Sequence, residues 1–191
     1  MSTPWEVEQK FVVTDVVHLR AQLAQQGYQQ TGSEQHCDIY FRHPCRDLRA
    51  NDEAFRLRTV NADCCLTYKG QRLPGPVKMR PEIELDINAG QRASWLLMLQ
   101  HLGFEPLPMV RKRRHNFAAH GPATENRAKV LVSLDEVERL GTFAELELIV
   151  DDADQLQSAG TQISQLATQL GLVTVQPQSY LSLVLELPLE S

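Results

Sequence analysis

Three pairs of carboxylates in this sequence stand one residue apart with an aliphatic side chain between them: Glu6 and Glu8 in EVEQK, Glu82 and Glu84 in EIEL, and Glu145 and Glu147 in ELEL. Carboxylate oxygens are the donors that hard divalent cations take, and residues at alternate positions of a strand share one face. Basic residues recur at the same spacing: Lys10 after the first pair, Arg56 and Arg58 in FRLRTV, Lys69 in LTYKG, Arg80 before the second pair, and Lys112 and Arg114 in VRKRR. Asp135 in SLDEV completes a set of seven acids and seven bases. Guanidinium groups grip phosphate oxygens in pairs and ammonium groups act as point charges. Together with carboxylates that hold a bridging cation, they would suit a polyanion.

The elements that must position these groups are strands. Glu6, Glu8 and Lys10 alternate with Val7 and Phe11, and Glu82, Glu84 and Asp86 alternate with Ile83, Leu85 and Ile87, which is the period of a strand with two unlike faces. FRLRTV (55–60), CCLTYKG (64–70), VRKRRHNF (110–117) and VLVSLDEV (130–137) read the same way. A charged face is ordinarily a solvated one. Glu and Lys are nevertheless disfavoured in strands, and here they fill strand after strand. A barrel turned inside out answers this, its apolar faces against helices and its charged faces lining a water-filled interior.

Helical stretches follow the Glu-x-Glu strands and close on glycine: Asp15 to Gly27, Gln91 to Gly103, and Asp151 to Gly171 with an interruption expected at Gly160. Glycine suits the left-handed C-terminal cap, and Asp15 and Asp151 suit helix N-termini. The strand-helix-strand pattern of residues 6–69 recurs loosely over 82–135, as an internal duplication would. QRLPGPVKMRP and AAHGPATENRAK read as loops between strands, and HPCRDLRANDE as a longer polar loop.

At 191 residues, with 42% hydrophobic and 23% charged side chains, the chain fits one compact domain. No apolar run approaches a membrane span and the N-terminus lacks a signal-peptide layout, so a cytoplasmic location is expected. Cys37, Cys45, Cys64 and Cys65 have no CxxC spacing and read as free thiols. The net charge of −5 argues against a general nucleic-acid binder. His36, His43 and His115 share no metal spacing and read as ordinary hydrogen-bonding or exposed side chains. Tyr40 and Tyr68 read as packed aromatics, Trp95 with its leucines as helical core or an interface patch, and Arg111 and Arg113 as outward-facing charges.

The ordered set ExExK (Glu6, Glu8, Lys10), RLR (56–58), LTYKG (66–70), RPEIE (80–84), VRKRR (110–114), SLDEV with Asp135, and FAELE (143–147) resembles the CYTH family, the triphosphate tunnel metalloenzymes. HCDIYFRHPCRD, DEAFRLR and the C-terminal SYLSLVLE are similar to its CyaB-type, class IV adenylyl cyclase-like branch. The resemblance implies an α+β fold: one domain over 1–191, built as a closed eight-stranded antiparallel β-barrel with helices packed outside. It implies Mg2+ or Mn2+ as cofactor, held by Glu6, Glu8, Glu82, Glu84, Asp135, Glu145 and Glu147, with either Glu82 or Glu84 reaching metal from the central strand. Lys10, Arg56, Arg58, Lys69, Arg80, Lys112 and Arg114 would bind the triphosphate, and Glu6, Glu8 and Lys10 would carry catalysis. Expected partners are a nucleotide or other triphosphate, without nucleic acid or membrane, and a homodimer is compatible with the resemblance. The implied activity is ATP cyclisation to cyclic AMP and pyrophosphate. The alternatives are a triphosphatase acting on thiamine triphosphate, tripolyphosphate or a nucleotide, and a non-catalytic polyanion-binding module.

Overall fold

The alternation of charged and apolar residues resolves into strands β1 (Trp5–Val12), β2 (Tyr28–Arg42), β3 (Ala54–Val60), β4 (Asp63–Lys69), β5 (Lys78–Ile87), a two-residue β6 (Glu105–Pro106), β7 (Val110–Ala119), β8 (Leu131–Val137) and β9 (Gly141–Val150). In the computed structural model of the chain, residues 4–119 and 130–188 are described. Most of the expected AAHGPATENRAK loop lies outside the described residues. The hydrogen-bonded order is β3-β4-β5-β1-β9-β8-β7-β2, and β2 pairs again with β3. Eight strands therefore close on themselves, every pair antiparallel, while β6 is attached to β2 alone. The closed eight-stranded barrel is the fold expected from the sequence.

Among the described residues four α-helices accompany the barrel: α1 (Val16–Gln25), α2 (Arg92–His101), α3 (Leu156–Gln169) and α4 (Tyr180–Leu185). Asp15 caps α1 by accepting from the backbone N–H of His18 at 2.8 Å. Gly27, Gly103 and Gly171 take positive φ just after α1, α2 and α3, as left-handed caps do. Two helix boundaries differ from expectation. Asp152, rather than Asp151, caps a short 3-10 turn (Ala153–Gln155) ahead of α3. Gly160 lies inside an unbroken α3, where a Cβ would stand 2.8 Å from the Cε of Met79; the glycine lets the helix approach β5 rather than ending it.

The apolar faces point outward and most are covered by the helices, whereas Ile83 and Leu85 on the outer face of β5 stay exposed, against the expectation that helices pack on every apolar face. Val7, Leu134, Leu146 and Leu148 meet Leu19 and Leu23 of α1 and Leu156, Ile163 and Leu166 of α3 in the main core. Ile39, Leu57 and Leu66 meet Leu99 of α2, with Trp95 and Leu96 packed beside them. A third cluster, Tyr40, Val110, Val137, Phe143 and Tyr180, lies at one end of the barrel, where α4 packs. Most of the C-terminal SYLSLVLE stretch is thus a helix across that end.

The pairing order is symmetric under exchange of two halves. Each half is a strand, a helix and a three-strand meander, β1-α1-β2-β3-β4 and β5-α2-β7-β8-β9. The first strand of each pairs with the last strand of the other, the two first strands pair with each other, and so do β2 and β7.

Candidate functional site inside the barrel

With apolar side chains outside, the period-two rule turns the charged positions into the bore. Glu6, Glu8 and Lys10 come from β1, Arg56 and Arg58 from β3, Lys69 from β4, Arg80, Glu82 and Glu84 from β5, Lys112 and Arg114 from β7, Asp135 from β8, and Glu145 and Glu147 from β9. All but Asp135 line a cavity of about 1790 Å³, well above an ordinary small-molecule pocket. Arg111 and Arg113, one position out of phase, are exposed.

The interior charges are paired. Lys69 Nζ donates to Glu6 and, at 2.7 Å, to Glu82, while Arg80 Nε donates to Glu6 at 3.1 Å. Lys112 Nζ and both Arg114 Nε and Nη2 donate to Asp135 at 2.7 Å, and Arg114 also donates to Glu145. Asp135 is fully buried and accepts a further bond from the Tyr180 hydroxyl at 3.0 Å. Glu84 is exposed and accepts from Thr67 Oγ1 at 3.0 Å. Burial alone would push these carboxylates up, yet Lys112 and Arg114 hold Glu145 well below the usual range, and Lys69 and Arg56 lower Glu82.

Besides the exposed Glu84, which only accepts from Thr67, two members of the set have no ion-pair partner among the described residues. Lys10 is buried with its Nζ 3.8 Å from the centroid of the Tyr180 ring, a cation–π contact. Burial brings its pKa down to about 8, against the pull of Glu145. Glu147 stands opposite Glu8 in the β1–β9 register. Burial, and then the charge of Glu6, push it up to about 7, the reverse of the neighbouring carboxylates.

The chain matches the CYTH domain family over residues 5–180. It is a member of that family. Over 180 residues, 93% of this chain and 97% of the relative, it is 29% identical to a protein of Methanocaldococcus jannaschii. Over 173 residues, 90% of this chain and 83% of the relative, it is 30% identical to the adenylate cyclase CyaB of Aeromonas hydrophila. Among solved structures, the PH1819 protein of Pyrococcus horikoshii shares the fold with a TM-score of 0.83 and 33% identity, covering 95% of this chain and 98% of that one.

Three groups in the CYTH bore escaped the sequence reading. Lys78 donates to Glu8 at 2.9 Å, and against burial it holds Glu8 down to about 2. It lies two residues before Arg80, so the alternate spacing already marked it. Asp38 is buried and accepts from Arg58 Nε and Nη2 at 2.7 Å and from Arg56 Nη1 at 3.3 Å. Tyr180 reaches Asp135 and Lys10 from a helix beyond the barrel, which strand spacing cannot signal. His36, expected to have an ordinary hydrogen-bonding or exposed role, is buried and lines the cavity.

The donor set of the CYTH bore fits a hard divalent cation. Among the described residues no three His, Cys, Asp or Glu side chains form a preformed metal cluster. Mg2+ characteristically takes only one or two carboxylates together with phosphate oxygens, and the unpartnered Glu147 beside Glu6 and Glu8 supplies oxygen donors with negative charge to spare.

Proposed function

We propose that residues 1–191 form a single CYTH domain that acts as a divalent-metal-dependent adenylyl cyclase of the class IV type, converting ATP to cyclic AMP and pyrophosphate. The observation that carries this reading is the pairing pattern: a bore filled with carboxylate–cation pairs, in which Lys10 and Glu147 have neither an ion-pair nor a hydrogen-bond partner among the described residues. Similarity to an adenylate cyclase over 90% of the chain supports the choice of reaction.

Carboxylates occupy the positions that phosphates would take. Arg114 and Arg58 each make bidentate contacts to a carboxylate, and a guanidinium fork accepts phosphate oxygens in the same geometry. Arg56, Lys69, Arg80 and Lys112 would turn toward the phosphate chain in the same way, and Lys10 would add a direct contact. Each base that does so frees a carboxylate that then needs another cation. Glu6, Glu8 and Glu147 would hold Mg2+ or Mn2+, which when bound lowers the pKa of the ribose 3′-hydroxyl and neutralises the departing pyrophosphate. Glu82 and Glu84 stand on the neighbouring β5, and Asp135 and Glu145 hold Lys112 and Arg114 until a phosphate chain replaces them.

In the reaction the 3′ oxygen attacks the α-phosphorus. The new O–P bond forms as the bond to pyrophosphate breaks in line, and the hydroxyl proton leaves. Lys10, whose pKa is brought down to about 8, is a group in the bore able to exchange that proton. The charged groups recognise phosphate and not base or ribose, and this favours a second reading: hydrolysis of a triphosphate by an oriented water in the same bore.

Product chromatography separates the readings. Purified protein is incubated with ATP, thiamine triphosphate or tripolyphosphate, each with Mg2+ or Mn2+ and each with an EDTA control. Cyclic AMP and pyrophosphate, lost with EDTA, are the expected products. Orthophosphate without a cyclic product would replace the cyclase by a triphosphatase, and ligand recovered intact in every case would leave a binding module.

A further inference from the structure

A further interior group carries a buried polar atom without a hydrogen-bond partner among the described residues. His36 lies on β2 opposite Lys112 of β7 and Val60 of β3. It lines the cavity, yet is only 6% exposed. Its Nε2 is 2.9 Å from Glu34 Oε2. Glu34 is an ionised carboxylate, its pKa lowered first by this very bond; it can only accept, so Nε2 carries the proton. Nδ1 is then a bare acceptor. It is buried and has no hydrogen-bond partner among the described residues, a costly position for a polar atom.

The surroundings explain why no proton fills that place. Along its own strand His36 has Glu34 on one side and Asp38 on the other, and Asp38 is taken up by Arg56 and Arg58. From β3 it faces the Arg58 guanidinium, and from β7 Lys112 and Arg114; after burial, these cations keep the ring neutral down to about pH 4. A bound phosphate chain would neutralise the same cations.

We propose that His36 is a further polyanion-binding group of the tunnel, taking up one proton at Nδ1 as a triphosphate enters. This rests on the reading of the bore as a triphosphate site. The proton comes from solvent, the Nε2–H bond to Glu34 is kept, and the new Nδ1–H gives the phosphate chain a charged donor. The uptake is a linked equilibrium: over the interval between the free and loaded pKa values, each unit fall in pH strengthens triphosphate binding by up to about tenfold.

The test is histidine 13C NMR on the intact protein with Mg2+ and a methylene-bridged triphosphate that cannot be turned over. The His36 resonance is assigned by its absence from His36→Gln. Titration from about pH 4 to about pH 8 is followed with and without the analogue. The expected result is a His36 pKa at least about one unit higher in the loaded protein, with affinity for the analogue rising more steeply toward low pH in the wild type than in His36→Gln. Because both proteins bind the same ligand, the ligand's own protonation cancels in that comparison. Saturable binding with an unmoved His36 titration overturns the proposal while leaving the tunnel reading intact. Failure of the analogue to bind overturns the tunnel reading and this proposal with it.

Discussion

Glu147 carries its charge at a disadvantage that its neighbours do not share. A carboxylate whose folded-state pKa lies above its unfolded value contributes stability that is present in full below the unfolded pKa and lost as pH rises through the folded one. For Glu147 that window runs from the ordinary value of 4.5 to about 7. Metal-free protein should therefore lose stability across this range relative to Glu147→Gln, as read by thermal unfolding in EDTA. A constant difference between the two proteins from low to neutral pH would contradict the environment described for Glu147. Mg2+ should oppose the loss in wild type, and the variant should bind the ion about 10–100-fold more weakly. Asp38 is the opposite case. Its carboxylate holds two buried guanidinium groups, so Asp38→Asn should cost about 3–5 kcal/mol in denaturant unfolding by leaving them uncompensated. A loss within the range of a surface substitution would mean that water reaches these arginines.

At the scale of elements, α4 joins the apolar end cluster to the charged groups of the bore through Tyr180. The Tyr180 ring packs on Phe143 with centroids 5.2 Å apart and its hydroxyl reaches Asp135. Tyr180→Phe keeps the ring over Lys10 and removes only the hydrogen bond, so it should lower stability by about 1.5–3 kcal/mol. A thermal midpoint equal to wild type would show that the hydroxyl has no stabilising role. The strands were legible because period-two alternation is local. Glu6 to Lys10, Arg56 to Arg58 and Glu145 to Glu147 each declare a charged face within a few residues. Which acid meets which base was not legible, because Lys69 meets Glu6 across a separation of 63 residues and Arg80 across 74. Such pairs are set by barrel register. Asp38 sat in HCDIYF among aromatics and gave no paired-carboxylate signal, and the role of Tyr180 depends on a helix whose position no strand pattern encodes. Gly160 was read by its backbone tendency, whereas its place in α3 is decided by how closely Met79 approaches.

Taken whole, the molecule divides its charges between the symmetric halves. Where the first half places Asp38 on β2, the second places Lys112 and Arg114 on β7; Arg56 and Arg58 on β3 correspond to Asp135 on β8, and Lys69 on β4 to Glu145 on β9. Carboxylates thus concentrate on the consecutive strands β1, β9 and β8, while β3, β4 and β7 supply bases. On the proposed reading this separation would give a cation and a phosphate chain different walls of one bore. The β2–β3 pairing that completes the ring adds a topological rule. A wall without an edge cannot open sideways, so a guest must be threaded lengthwise, and α4 packs across one end. A phosphate chain with a bulky group at one terminus can leave that group at the mouth. A chain with a nucleoside at both termini cannot, since one would have to pass through the ring of charges. A dinucleoside polyphosphate should therefore compete with ATP more than about tenfold less well than a mononucleotide with the same number of phosphates, measured by inhibition of turnover. Equal competition would mean that the ring of strands opens in solution.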